Sequence, residues 1–115
     1  MPTHIKTRII ALAICALSSN LAMAGNFATC IIDKMPGVQN DAAAYATLNL
    51  CKIEHPQGMA GVEKGSGRGY FSFKSGAECA AKKAASTLSR AGGQFIYTAC
   101  TRLYDEPNPF EYIPD

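Results

Sequence analysis

A mainly α-helical, disulfide-stapled small domain is the fold class this chain predicts. It is read as two pseudo-repeated half-modules, each ending in a helix, with one short β-hairpin as the candidate for extended structure. Three observations lead there. Cys30 and Cys51 stand 21 positions apart, and so do Cys79 and Cys100. Within each interval a turn or capping signal precedes a run that favours helix. About 90 of the 115 residues follow an N-terminal stretch with the plan of a cleaved leader, and secreted domains of that size commonly add disulfides to a small core.

The leader is residues 1–24. His4, Lys6 and Arg8 make a basic start without an acidic residue, and Ile9 to Leu17 is an apolar core. That core is roughly half of the ~20 residues a spanning helix needs. Ala22-Met23-Ala24 supplies small residues for peptidase cleavage, leaving Gly25 as the new N-terminus. The competing assignment is a buried N-terminal helix. A lipid anchor fits poorly, since Phe27-Ala28-Thr29 precedes Cys30 and Cys15 sits behind Ile14 within the apolar core. No further stretch approaches bilayer length, so the expectation is a periplasmic or secreted protein without a membrane span after cleavage.

Charge excludes one class of partner. The chain has 11 Lys and Arg against 9 Asp and Glu; Lys6 and Arg8 leave with the leader, so the mature chain is formally neutral. The pI of 8.3 therefore describes the precursor. Nucleic-acid binding needs clustered cations, and Lys82-Lys83 reads as a solvated helix face. Four cysteines remain, an even number, for which three pairings exist. The matched intervals favour Cys30–Cys51 with Cys79–Cys100.

In the first half-module, residues 30–56, Pro36-Gly37 breaks the opening segment. Asn40 is a natural N-cap and Asp41 suits the positive end of a helix. Residues 41–54 then read as helix, stopped by Pro56. Ala43, Ala46, Leu50 and Ile53, with Thr47 beside them, form its expected apolar stripe. The connector, 57–78, is glycine-rich. Within it Tyr70-Phe71-Ser72-Phe73 is the strand candidate after the Gly65-Ser66-Gly67-Arg68-Gly69 turn. The second half-module, 79–106, offers a short helix near 77–85. A longer one is capped by Ser86 or Ser89 and runs from about Arg90 to Asp105. Its stripe is Ala91, Phe95, Ala99 and Leu103, with Ile96 and Cys100 alongside. A strand over Gln94–Cys100 competes with it. Gly92-Gly93 costs about 1 kcal/mol per glycine, or else admits a close neighbour such as the Ala42-Ala43-Ala44 run. Residues 107–115 are a proline-rich tail, extended and docked through Phe110 and Tyr112 or else mobile.

No catalytic, metal-binding or cofactor-binding residue is assigned. His55 is the one histidine of the mature chain, and it reads as a cation at a helix C-terminus. Zinc has no second imidazole and no CxxC pair to bind. Redox chemistry of the thioredoxin kind lacks its motif as well. The glycine-rich loop precedes a strand-like segment rather than following one, unlike a phosphate loop. The carboxylates Asp33, Asp41, Glu54, Glu63, Glu78, Asp105 and Glu106 are scattered among capping, loop and solvating positions.

The expected function is therefore a non-enzymatic, protein-binding or accessory module, of the inhibitor or immunity kind. Its partner would be another protein in the envelope or outside the cell. Arg68 and Tyr70 are the candidate contacts, because arginine and tyrosine concentrate interface energy. Alternation in a strand would turn Phe71 and Phe73 to the core. A second hypothesis is a small-molecule module with a pocket lined by Tyr45, Phe95 and Tyr97. A small hydrolase using His55 is the third.

Overall fold

Polar caps set the helix boundaries. The computed structural model describes residues 25–107; residues 1–24, expected to be a leader, and the tail bearing Phe110 and Tyr112 lie outside the described residues. Asn26 opens α1 (Phe27–Lys34) with a reciprocal box: its Oδ1 accepts the Thr29 N–H at 2.9 Å, and its own N–H reaches Thr29 Oγ1 at 2.8 Å. Asn40 caps α2 (Asp41–Glu54) through the Ala43 N–H, and His55 follows as its C-cap. A single 3-10 turn (Gly58–Gly61) comes next. Ser75 caps α3 (Gly76–Lys83) and Ser89 caps α4 (Arg90–Tyr104). Each cap satisfies a backbone donor that a helix start leaves open.

The expected bounds of α2 and the Ser89 start of α4 are both present. Helix α1 is the element the sequence reading leaves unassigned. Its signal is the Asn26–Thr29 box, which lies directly behind the expected leader.

The two bridges are Cys30–Cys51, with Cα atoms 5.8 Å apart, and Cys79–Cys100, at 5.5 Å. Each ties a short helix to the long one after it, α1 to α2 and α3 to α4. A shift of 49 residues carries α1 onto the bounds of α3 and the start of α2 onto that of α4. The same shift carries both caps and both cysteines of the first pair onto those of the second. Helix α4 lies at the centre and packs against the other three helices. Ile31, Met35, Val62, Ile96 and Leu103 are fully buried around it.

The stripe expected on α2 is out of phase. Leu50 and Ile53 are exposed, and the inward residues are Ala44, Leu48 and Cys51, with Thr47 beside them. The bridge explains the change: Cys51 must face Cys30, and Ala44, Leu48 and Cys51 share its face at helical spacing. On α4 the same rule selects Ile96, Ala99, Cys100 and Leu103. Helical burial at that spacing also removes the competing strand over 94–100. Gly92 meets Val38 and Thr87 rather than the alanine run.

The β-hairpin is absent: no strand occurs among the described residues, and 70–73 forms turns and bends. Its backbone has other work. The Gly65 and Gly67 N–H groups donate to the carbonyls of Arg102 and Leu103 at 2.8 and 2.9 Å, and Ser72 Oγ closes a local turn on Gly69.

Asp41 joins the halves. Its Oδ1 accepts the Ser89 hydroxyl at 2.6 Å and the Ala91 N–H at 3.2 Å, so a carboxylate from α2 sits at the N-terminus of α4. The Ser89 hydrogen bond, followed by that of Ala91, holds its pKa below the ordinary value of 3.8. A depressed carboxylate pKa adds stability above its unfolded value, and that stability is lost as pH falls through the folded one. Asp41→Asn should therefore lower stability at neutral pH and flatten the acid limb below about pH 4. Urea midpoints measured across that range check this; parallel acid limbs for both proteins would contradict it.

Candidate functional site

The best-presented surface is built on the C-terminus of α4. A helix end leaves carbonyls without intrahelical donors, and here the connector supplies them. Gly65 and Gly67 take the first two, and the Arg68 guanidinium reaches Tyr104 O at 2.6 Å. Gly67 is required by closeness: a Cβ there would lie 2.8 Å from the Tyr104 ring and 3.1 Å from Leu103 O. Arg68 also reaches Lys74 O at 3.3 Å and Glu106 at 3.2 Å.

Between these anchors the chain projects Tyr70 and Phe71, which are 100% and 101% exposed with ring centroids 6.1 Å apart. Phe73 turns back instead. It is half-buried, edge-on to Tyr104 at 5.3 Å and beneath the Lys82 ammonium at 5.6 Å. The expected burial of Phe71 is thus corrected. Strand alternation does not apply to a turn, so Phe71 stands beside Tyr70 instead of opposite it. Arg68, named as a contact from sequence, is the residue that braces the loop.

Tyr45 and Phe95 meet edge-on at 5.6 Å. Phe95 lines a mostly apolar groove of about 360 Å³ with Phe27, Ile31, Leu48, Met59 and Lys52. Tyr97 is apart from this groove, on a polar cleft with Lys64, Arg102 and Asp105. Two of the three residues expected to line one pocket therefore come together, and the third faces elsewhere.

A third arrangement surrounds His55. Donor atoms of Cys30, Glu54 and His55 lie within 4.8 Å of one another. The Cys30 sulfur is held in a disulfide, so it offers no thiolate. Glu54 Oε1 accepts from Lys34 Nζ at 2.7 Å, and this hydrogen bond holds the Glu54 pKa below its ordinary value. Sequence order hides the grouping, because Cys30 and Lys34 come from α1 while Glu54 and His55 end α2.

No protein-family model, curated protein or solved structure matches the chain.

Proposed function

We propose that this is a secreted or periplasmic protein-binding module, released from its leader after Ala24, whose contact surface centres on Tyr70 and Phe71. The observation that carries this reading is the full exposure of two adjacent rings on a braced loop. Aromatic rings add large contact area with little conformational freedom to lose, which suits them to interface centres. Two bridges fit an oxidising compartment. No helix among the described residues is long and apolar enough to cross a membrane. The matched boundaries of the two helix pairs further suggest half-modules on one plan, of which only the second receives the connector loop on its C-terminal helix.

Removing the whole Gly65–Gly69 segment would also strip α4 of its terminal hydrogen bonds, so the sharper test is Tyr70→Ser with Phe71→Ser. The double variant should keep its stability within about 0.5 kcal/mol, as exposed substitutions do. It should also lose a stoichiometric partner that the wild-type protein captures from native envelope extract after mild crosslinking. Equal capture by both proteins would refute the assignment of the tip.

A second reading rests on the apolar groove. Among the described residues Lys52 is its one charged lining residue, which suits an amphipathic anion whose apolar body covers Ile31 and Phe95. Ligand-dependent thermal shifts separate this reading from the first.

A further inference from the structure

We infer that cleavage after Ala24 completes a divalent-metal site from the Gly25 α-amino group, the His55 imidazole and the Glu54 carboxylate. This rests on the cleavage proposed above. Gly25, Glu54 and His55 line the same two adjoining clefts, one opening toward Pro56 and Gln57 and the other toward Asp33 and Lys34. In the precursor the Gly25 nitrogen is an amide, which is no ligand at neutral pH. Once released, it is an amine whose ordinary pKa is near 8, and a metal ion can displace its proton.

The new terminus would be held in place. Asn26, the next residue, is locked by three hydrogen bonds of 2.8 to 2.9 Å with Thr29. That box fixes the direction of the backbone at Gly25. The other two donors are adjacent residues at the end of α2, which the Cys30–Cys51 bridge ties to α1. The site therefore joins both ends of the first helix pair. Two nitrogen donors and one oxygen suit borderline first-row cations, among which Cu²⁺ binds such sets most tightly.

The groups facing the site are Asp33, Lys34, Glu54 and His55, with the Cys30 sulfur kept out of ligation by its bridge. Lys34 competes, because it already occupies Glu54 Oε1 in an exposed ion pair. Exposed pairs of this kind are weak, so a metal ion can displace it.

The test uses protein matured from its own leader. Intact mass gives its first residue, and Cu²⁺ is then titrated with electron paramagnetic resonance as the readout. One equivalent should bind with two nitrogen donors. His55→Ala and Nα-acetylation should each weaken binding at least about tenfold, in the range that loss of supporting metal contacts costs. Lys34→Met should tighten it. A chain beginning at Gly25 whose Cu²⁺ binding is unchanged by His55→Ala and by acetylation overturns this inference and leaves the cleavage standing. A chain beginning elsewhere overturns both.

Discussion

Gly76→Ala is expected to destabilise the protein by about 3 kcal/mol, at the upper end of ordinary overpacking costs. A Cβ on Gly76 would lie 2.5 Å from Thr101 Cα and 2.9 Å from Thr101 N. Those atoms are backbone in the last turn of α4, so no side chain can swing aside. The first turn of α3 sits against α4 here, and the Gly76 N–H also donates to Asp105 Oδ1 at 2.8 Å. To make room, α3 would have to withdraw from α4 and strain both that hydrogen bond and the nearby bridge. Gly93→Ala is the control. Nothing lies within 4 Å of its added Cβ, so the change should stabilise α4 by about 0.5–1 kcal/mol. Gly92→Ala falls between them, since its Cβ would strike the movable Val38 side chain at 2.5 Å. Denaturant midpoints for the three variants decide it. A neutral Gly76→Ala would mean that α3 and α4 are not in such close contact.

The second large effect concerns the bridges. Replacing Cys79 and Cys100 by alanine should cost about 3–5 kcal/mol, the usual range for a native bridge in a small domain. That is a large part of the stability available at this size. Both bridges close intervals of 21 residues, so chain entropy alone predicts equal losses. Packing breaks the tie. Helix α3 packs chiefly on α4, whereas α1 also rests on α2 and the 3-10 turn. Loss of Cys79–Cys100 therefore frees a helix with fewer other attachments. The Cys30→Ala, Cys51→Ala pair should be the milder, and urea unfolding of the two double variants gives the comparison. A costlier loss at Cys30–Cys51 would mean that packing of α1 does not compensate for its bridge.

Much of this fold was legible because its signals are local. Asn40 with Asp41, and Pro56 after His55, bound α2 without knowledge of any partner. Ser89 does the same for the start of α4. The bridge pairing was legible as well, from two equal intervals. Helical phase was not. Both the Ala43–Leu50 face and the Ala44–Cys51 face of α2 are apolar enough to be core, and the choice depends on where Cys30 lies. The same reason left Phe71 misplaced: its outward position follows from hydrogen bonds that Gly65, Gly67 and Arg68 make with a helix 35 or more residues away. A missed signal is the pairing of Arg68 with the end of α4, which no local pattern encodes. The cluster of Glu54 and His55 beside Gly25 was half-visible. Its two adjacent donors stand in the sequence, but their approach to the start of α1 depends on the packing of α1 on α2 and on the Cys30–Cys51 bridge.

Among the described residues, the exposed apolar side chains include the Tyr70–Phe71 tip and the Leu50–Ile53 face of α2. They differ in how firmly each is presented and in shape. The α2 face carries two aliphatic side chains on a helix, whereas the tip projects two rings from a loop held by the last carbonyls of α4. Photocrosslinking separates them directly. With a photoreactive residue at position 71 or at position 53, and the captured partner present, position 71 should give the covalent product and position 53 should not. A product from position 53 with none from position 71 would contradict the assignment of the tip and move the contact surface to α2.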